Sequence, residues 1–401
     1  MKRTYWIGAA AVASLILTAS GAAQAQTLTI GLTTSQTGSQ NVDGTNQMRG
    51  FEMWRDDVNK AGGIKAGGKS YQVKFVSYDD QSANARVQQL YAKLITDDKA
   101  DFLFSPYSSP LVATAAIISE QYGKVMLTAG GAEQKTYETG NKGLYQIYTP
   151  ADHYFASSVE LIKQLGPDSK VALVTSDDSF SQEVVAAARE QLKAINVTPV
   201  FDEKYDPNTT DFGPIINKIA AAKANVVLGG GHYQDGATLA RQMHEQKVPM
   251  RFVSLLVAPD SAQFATLGDA ANGVAVPSQW EPSVTFKPQF GPTPAEFNAA
   301  FKAKFNTDSP YHAAGGYATG LILQHAIEQA GSIDQDKVAK ALDATDAVTF
   351  FGPTKFAGDP GHHGLQVAHQ MVLAQWQQTS KLTKEVIAPA DAQTAKPMFG
   401  K

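Results

Sequence analysis

The chain has no cysteine among its 401 residues. This absence excludes disulfides, thiolate metal sites, a cysteine nucleophile and a lipid anchor on cysteine. It also has little excess of charge of one sign, since it contains 34 basic and 38 acidic residues and its net charge is −4. A nucleic-acid partner would need a basic face to neutralise phosphates, so we expect no such partner.

Long apolar runs are confined to the N-terminus. Lys2 and Arg3 precede an apolar stretch from Ile7 to Thr18, and Ala23-Gln24-Ala25 supplies the small residues of a cleavage site. A membrane span needs about 20 apolar residues, and this stretch is shorter. We therefore predict a secretory signal peptide over residues 1–25. With no cysteine to acylate, the mature chain is expected to diffuse freely in a periplasm and not to be embedded in a membrane.

Catalytic motifs are missing too. The sequence contains no G-x-S-x-G elbow, no H-E-x-x-H zinc helix and no Walker A loop. Gly229-Gly230-Gly231 has consecutive glycines, which is typical of a tight strand-to-helix turn. Histidines such as His362-His363 and His369 are more often solvated turn residues than metal ligands. We predict no catalytic residue, no metal and no cofactor. The alternative, an exported hydrolase, would require Ser109 and His232 within hydrogen-bond reach.

Short apolar runs alternate with amphipathic segments along the rest of the chain. Such runs separated by helices of 10–15 residues indicate βαβ units and parallel sheets covered on both faces. The alternation breaks near residues 145–150 and again in the proline-rich segment 277–294. We therefore predict an α/β fold with two doubly wound lobes. In the tail, Phe350–Phe356 and Gln366–Trp376 are expected to form a hairpin.

In open α/β sheets, ligands bind beyond the carboxyl ends of the strands. The loops at these ends carry hydroxyls, glycines and aromatic rings, with almost no lysine or arginine. Ser108-Ser109-Pro110 opens a helix, where a hydroxyl and free N–H groups can hold a carboxylate without a cationic side chain. The alternative is a plain helix cap. Phe180 and Tyr233 fit either a ligand surface or the core. The candidate ligand-binding residues are Gln36, Tyr107, Ser108, Ser109, Ala129, Gly130, Gly131, Asp178, Phe180, His232 and Tyr233.

Several segments together resemble the branched-chain amino-acid-binding (leucine-binding) type of periplasmic solute-binding protein. They are Thr29-Ile30-Gly31-Leu32, Ser35-Gln36-Thr37-Gly38, Arg49-Gly50-Phe51-Glu52 and Asn59-Lys60-Ala61-Gly62-Gly63-Ile64. Ser108-Ser109, Thr128-Ala129-Gly130-Gly131 and the stretch from Phe351-Gly352-Pro353 to Gln375-Trp376 continue the pattern. The resemblance covers essentially the whole mature chain.

The resemblance implies a type I periplasmic binding protein, with two α/β lobes joined by three crossovers. The N-terminal lobe would contain residues 26–147 plus 278–350, and the C-terminal lobe residues 148–277 plus 351–401. It also implies a monomer whose cleft closes over a small solute and delivers it to an inner-membrane ABC permease. A periplasmic ligand sensor of the same fold, which signals to a protein partner, is the alternative.

Individual roles carry over from the family to matching positions. Ser109 matches the serine that binds the ligand's carboxylate, and Gly130 matches the backbone position that meets the ammonium group. Phe180 stands at one aromatic position, and His232 or Tyr233 stands at the second. These assignments are implied by the resemblance alone.

Two departures from the family pattern bear on the ligand. Ala132 replaces a family threonine, and the amine-pairing acidic residue is missing from Val253–Val257. The acidic residues that could substitute for it are Asp178, Asp235 and Asp260. A buried ammonium without a carboxylate is costly, so we expect a ligand without an amine, such as an aromatic or hydroxylated acid.

Overall fold

The computed structural model describes Met1 and residues 26–400. Apart from Met1, the predicted signal peptide at residues 1–25 lies outside the described residues. Among the helices of the described part, none combines the length and hydropathy that crossing a bilayer requires.

The chain begins by forming one sheet. Its strands are β1 (Gln26–Thr34), β2 (Ile64–Ala66), β3 (Lys69–Asp79), β4 (Phe102–Phe104), β5 (Met126–Thr128) and β6 (Leu144–Gln146). They lie in the order β2-β3-β1-β4-β5-β6, and all pairs are parallel except β2 with β3 at the edge. The covering helices are α1 (Asn41–Lys60), α2 (Asn84–Thr96) and α3 (Ser109–Gln121). Short, wholly buried strands such as Phe102–Phe104 are what a parallel sheet covered on both faces requires.

The chain then crosses to a second sheet. Its first five strands are β7 (Val171–Ser176), β8 (Phe201–Tyr205), β9 (Val226–Gly230), β10 (Phe252–Leu255) and β11 (Val274–Ser278). These are parallel to their neighbours, in the order β11-β10-β9-β7-β8. The helices are α4 (Ala156–Leu165), α5 (Ser179–Ala194), α6 (Gly213–Ala221) and α7 (Tyr233–Glu245). Short 3₁₀ helices occupy Gln134–Thr139, Ala151–His153, Ala258–Asp260 and Ala262–Ala270.

A second crossing brings the chain back against α1. The elements there are α8 (Pro294–Phe305), α9 (Tyr311–Ala330), α10 (Gln335–Asp343), β12 (Asp346–Thr349) and β13 (Gly352–Lys355). Helix α9 packs directly on α1. A Cβ on Gly50 would lie 2.0 Å from the carbonyl oxygen of Ala313, and one on Gly316 would lie 2.4 Å from that of Gln47. Glycine at both positions therefore allows the two helices to touch backbone to backbone.

After a third crossing, β14 (Val372–Gln378) and β15 (Leu382–Ala388) extend the second sheet. β14 pairs antiparallel with β11, and β15 pairs antiparallel with β14. The α/β prediction with two lobes and three crossovers is thus confirmed, with antiparallel strands added at the sheet edges.

The predicted tail hairpin forms only next to its turn. Phe356 and Gln366 share an isolated antiparallel bridge, flanked by hydrogen bonds from the Ala357 N–H to the Leu365 carbonyl and from the Val367 N–H to the Lys355 carbonyl. The strands beyond it pair elsewhere, since β13 pairs with β12, the strand just before it. Gly352, with φ +131°, opens β13 immediately after the short turn from β12, so the chain folds back at once. All but the last residue of β14 are buried, and this strand gains more by lying between β11 and β15 than at the edge of a hairpin.

Candidate ligand-binding site

Loops at the carboxyl ends of strands from both sheets meet around one small cavity. The start of α9 and the first crossover complete its wall. The lining residues are Tyr107, Ser108, Ser109, Gly130, Ala132, Tyr148, Tyr154, Phe180, His232, Val257, Tyr311 and His312. This is the position at which doubly wound sheets bind their ligands.

Ser109, the first residue of α3, presents a hydroxyl to this cavity. Its Oγ accepts hydrogen bonds from the backbone N–H groups of Ala132 (3.1 Å) and Glu133 (3.2 Å). A hydroxyl has two lone pairs and one proton, so these bonds leave the O–H free to donate to a ligand. The N-terminus of a helix also carries partial positive charge. The arrangement suits a carboxylate oxygen.

Strained backbone occurs on two sides of the cavity. Ser108 has φ +78°, and the β-branched Val257 has φ +54°. Left-handed φ values are uncommon for residues with a Cβ and cost about 1–3 kcal/mol each, so the surrounding packing must enforce them. Such strain concentrates at ligand-binding sites.

Gly130 allows the loops after β4 and β5 to approach each other closely. Its N–H donates to Thr128 Oγ1 at 3.0 Å. A Cβ at this position would lie 2.4 Å from the carbonyl oxygen of Pro106 and 2.8 Å from Gln47 Oε1. No side chain fits there without moving backbone, so the glycine determines the shape of this wall.

Aromatic and imidazole rings form a continuous surface around Tyr107. The Tyr107 hydroxyl lies 3.1 Å from His232 Nδ1, and the Tyr107 ring meets the rings of His232 and His312 edge-on, at 5.6 and 5.0 Å between centroids. Phe180 lies 5.9 Å from His232 and 5.1 Å from Tyr154 by the same measure. These rings can enclose the flat apolar part of a ligand.

Three polar atoms on this lining are buried without a hydrogen-bond partner in the described part of the chain. They are the Tyr148 hydroxyl, His232 Nε2 and His312 Nε2. His232 Nε2 lies 3.9 Å from Asp178 Oδ1, too far for a hydrogen bond. A buried polar atom left unpaired costs about 1–3 kcal/mol, and native proteins contain few of them. Three such atoms around one cavity mark it as a place where a polar ligand would find hydrogen-bond partners.

Among the described residues, no carboxylate side chain lines the cavity, but two fully buried ones lie behind it. Asp43 Oδ2 accepts the Tyr233 N–H at 3.3 Å. Burial raises the pKa of Asp43, although His312 and His232 act in the opposite direction. Burial also favours a higher pKa for Asp260, but the nearby Lys384 and His312 outweigh it and hold that pKa below its ordinary value.

The predicted site residues divide into two groups. Those on the cavity lining are Tyr107, Ser108, Ser109, Gly130, Phe180 and His232. Those off the lining are Gln36, Ala129, Gly131, Asp178 and Tyr233.

The residues off the lining have other contacts. Gln36 is exposed, and its N–H donates to Asp79 Oδ1. Asp178 caps α5 by accepting the N–H of Ser181 at 3.0 Å. Tyr233 packs in the core of the second sheet. Ala129 and Gly131, in the loop after β5, are buried and shape the path of that loop.

Six lining residues were not among the predicted site residues: Ala132, Tyr148, Tyr154, Val257, Tyr311 and His312. Tyr148 lies in a crossover without periodic pattern, so nothing local distinguishes it. Pro310, which caps α9, is a helix-start signal that points to the two residues after it. Tyr154 and Val257 lie in connecting segments, and no comparable sequence signal points to them.

The hydrolase alternative required Ser109 and His232 in contact. Over residues 26–400, the hydrogen bonds of Ser109 Oγ go to backbone N–H groups and that of His232 Nδ1 goes to Tyr107. No nucleophile–base pair is formed between them, and this arrangement gives no support to acyl-transfer chemistry.

The described residues contain no group of three or more His, Cys, Asp or Glu side chains placed to hold a metal ion. The three histidines of the tail contact separate partners: His362 with Asp359, His363 with Asp343, and His369 with the Phe351 carbonyl. Burial lowers the pKa of His369 to about 4, so this imidazole is neutral at physiological pH.

The geometry agrees with the family of the chain. Residues 27–381 match the model of the periplasmic binding protein family, so the chain belongs to that family. Its similarity to the leucine-binding branch is visible in both sequences and structures.

Two curated relatives are similar over most of their length. The Leu/Ile/Val-binding protein homolog 8 of Brucella abortus is 25% identical over 380 residues, 91% of each chain. The leucine-, isoleucine-, valine-, threonine- and alanine-binding protein of Pseudomonas aeruginosa is 24% identical, over 82% of this chain and 85% of its own. An amino acid binding protein from the same bacterium is 28% identical over only 59% of its length.

Solved structures share the fold. The leucine-binding protein LivK of Thermotoga maritima superposes with a TM-score of 0.79 at 18% identity, over 91% of this chain and 99% of its own. An ABC-transporter solute-binding protein from R. palustris in complex with benzoate has a TM-score of 0.77 at 19% identity, over 92% and 99%. A third structure, from Rhodopseudomonas palustris BisB5 in complex with 3,4-dihydroxybenzoic acid, has a TM-score of 0.78 at 20% identity, over 89% of this chain and 95% of its own. The architecture is that of the type I periplasmic binding proteins.

Proposed function

We propose that this protein is the periplasmic substrate-binding component of an ABC importer, which captures a small organic carboxylate between its lobes. The observation that carries the proposal is the cavity between the two sheets, with the free hydroxyl proton of Ser109 and three unpaired buried polar atoms around it. A site of this kind is complete only with a ligand in place.

Hydrogen bonds between the lobes support capture by closure. The pairs are Tyr107–His232 (3.1 Å), Asp43–Tyr233 N (3.3 Å), Glu133–Ser179 (3.1 Å) and Gln134 N–Glu183 (2.9 Å). Each joins a loop or helix of the first sheet to one of the second, so hinge opening breaks all four together. Closure over a solute would seal the cavity and present the closed form to a permease.

The lining favours a solute without an amino group. In the part of the chain that the structure describes, the lining offers hydroxyls, imidazoles and apolar rings but no carboxylate, so an ammonium group would be buried without a counter-charge. The rings suit an aromatic acid. Neighbouring structures described with benzoate and with 4-hydroxybenzoate support this class, whereas another neighbour is described with isoleucine.

The remaining assignments belong to the same proposal. The chain would be exported, lose residues 1–25 after Ala25, and act as a monomer with an inner-membrane ABC permease as its partner. The lobe boundaries would fall at 147/148, 277/278 and 350/351. A chain that crosses between the sheets at three points supports this division.

Mass spectrometry of the solute that co-purifies with the native protein, followed by a thermal-shift panel of amino acids and aromatic carboxylates, tests the proposal. A ligand present at one hundred times its Kd should stabilise the fold by about 2.7 kcal/mol and raise the melting temperature accordingly. If no small organic solute co-purifies and none in the panel shifts melting, the importer function is wrong.

A further inference from the structure

The loop after β5 carries consecutive backbone N–H groups that connect the two sheets. The first two, those of Ala132 and Glu133, donate to Ser109 Oγ at 3.1 and 3.2 Å. The next, that of Gln134, donates to Glu183 Oε1 at 2.9 Å. Ser109 begins α3, which packs on the first sheet, whereas Glu183 lies on α5, which packs on the second. The three N–H groups are therefore shared between the serine of the cavity and a carboxylate from across the cleft.

A second carboxylate makes the contact reciprocal. Glu133 Oε2 accepts a hydrogen bond from the hydroxyl of Ser179, the first residue of α5, at 3.1 Å, and one from the Thr136 hydroxyl at 3.3 Å. Glu133 is only 8% exposed. The loop and α5 thus hold each other through one carboxylate from each side, and both bonds are lost when the sheets separate.

The negative charge of Glu183 is not what makes this contact favourable. Burial raises the pKa of Glu183 to about 6, against an ordinary value of 4.5, and the carboxylates of Glu133 and Asp152 act in the same direction. The backbone N–H groups of Gln134 and Lys135 oppose the rise. The contact therefore depends on an acceptor oxygen, which a neutral amide side chain also provides.

The position of the loop decides where the Ser109 proton points. Two loop N–H groups occupy the lone pairs of Oγ, so the direction left for the O–H depends on where those N–H groups lie. Glu183 is off the cavity lining and reaches the loop only while the sheets are together.

We propose that Glu183 is a positioning residue, which fixes the loop that orients Ser109 when the cleft closes. Closure and the capture of a carboxylate then reinforce each other, because the serine donor is held in its binding geometry only in the closed form. The proposal rests on the proposed function and deepens it by naming the residue that couples closure to binding.

A double-mutant cycle between Glu183 and Ser109 tests the proposal. Calorimetry would measure the Kd of benzoate, of isoleucine and of any further carboxylate that the thermal-shift panel identifies. Glu183→Ala should weaken the carboxylates that bind by about fivefold. In the Ser109→Ala background the same change should weaken them by less than about twofold, because the hydroxyl that the loop orients is already gone.

Two further variants separate positioning from charge and from helix stability. Glu183→Gln removes the charge but keeps an acceptor oxygen, so its Kd values should stay within about twofold of wild type. Glu190→Ala removes an exposed glutamate of the same helix, whose carboxylate lies 3.8 Å from Lys193 Nζ, and should leave every Kd unchanged. Melting curves without solute check that each variant folds.

Three results would each overturn the role of Glu183. They are unchanged Kd values in Glu183→Ala, a loss of the same size in the Ser109→Ala background, and a loss that Glu183→Gln shares in full. In each case a solute still binds, so the function as a solute receptor stands. If no solute of the panel binds the wild-type protein, the proposed function fails and the role of Glu183 fails with it.

Discussion

Two walls of the cavity differ in how well their polar groups are satisfied. The serine wall, made of Ser108, Ser109, Gly130 and Ala132, is built of backbone and short side chains, and the Ser109 hydroxyl already accepts two internal hydrogen bonds. The ring wall, made of Tyr148, Phe180, His232, Tyr311 and His312, leaves three buried polar atoms unpaired across residues 26–400.

This difference indicates that the two walls have separate roles in ligand binding. A wall whose acceptor positions are filled from within the protein, with only the Ser109 proton left to donate, holds one geometry whether or not a ligand is present, so it can serve any carboxylate. A wall with unpaired atoms loses free energy whenever the ligand fails to satisfy them, and such sites discriminate strongly between analogues. We therefore expect the ring wall to decide ligand identity.

The largest expected effect comes from removing the buried lysine that neutralises the carboxylates behind the ring wall. Lys384 has its Nζ 3.0 Å from Asp260 and 2.9 Å from Glu281, and both carboxylates are buried. Lys384→Met would leave them without a counter-charge and should cost about 3–5 kcal/mol of folding stability in urea denaturation at pH 7. Lys381→Met, on an exposed position nearby, is the control and should change little. Similar losses in both variants would contradict this account.

Crowding the serine wall should have the next largest effect. Gly130→Ala places a Cβ 2.4 Å from the Pro106 carbonyl, so backbone must move, at about 1–3 kcal/mol of stability and with loss of most ligand affinity. Gly358→Ala, where no atom lies within 4 Å of the added Cβ, should be neutral. Denaturation and calorimetry measure the two effects. Unchanged affinity in the Gly130 variant would show that this wall tolerates displacement.

Ser109→Ala tests whether the serine wall holds the carboxylate. Removing a buried hydroxyl that donates to a charged group should weaken a carboxylate ligand by roughly 1–3 kcal/mol. The neutral amide of the same ligand should lose less, because its bond to the hydroxyl is not charge-assisted. Equal affinity for the carboxylate in variant and wild type would remove Ser109 from direct ligand contact.

The buried carboxylates behind the ring wall should also make folding stability depend on pH, whereas the serine wall should contribute no such dependence. Burial raises the pKa of Glu281 to about 7, against an ordinary value of 4.5, although Lys384 opposes this. The folded protein therefore holds this proton more tightly than the unfolded chain, and the contribution of Glu281 to stability falls as pH rises from about 4.5 to 7. Glu281→Gln should remove that fall, on the order of 2–3 kcal/mol between pH 5 and pH 8. Parallel stability curves for variant and wild type would refute the assignment.

Tyr148→Phe should produce the smallest effect, with opposite signs in stability and binding. The hydroxyl is buried and unpaired in residues 26–400, so its removal should leave the unliganded protein unchanged or stabilise it by less than about 1 kcal/mol. Ligand affinity should fall if the hydroxyl meets the solute. Melting curves and calorimetry on the same preparation give both signs, and a destabilised variant with unchanged affinity would argue against an unpaired hydroxyl.

Much of the fold could be predicted because its signals are local. A run such as Phe102–Phe104 is too short and too apolar for a surface strand, and helices of regular length between such runs leave parallel sheets as the consistent arrangement. The tail hairpin is confined to the residues next to its turn because strands compete for partners. Gln366–Trp376 has the pattern of a strand, but the partner of β14 is β11, about a hundred residues earlier in the chain.

The two walls differ in predictability for the same reason. Ser108, Ser109 and Gly130 follow strands directly, so their place at the sheet edge is inferred from sequence position. Tyr148 and Tyr311-His312 come from a crossover and from a helix that returns late in the chain. Nothing near them in sequence shows that they line the same cavity as Tyr107.

The amino-acid sequence by itself determined the fold class and, through the motifs that resemble the family, the class of this protein, because the alternating pattern, the strand-end loops and the family motifs are all properties of short segments. Only the tertiary structure decided which polar groups are satisfied. The Ser109 hydroxyl has its acceptor capacity filled by a loop 23 residues away, and His312 has its Nδ1 turned to an aspartate 52 residues away. Hydrogen bonding depends on distance and direction between groups brought together by folding, so the unpaired atoms that select a ligand appear only once the chain is packed.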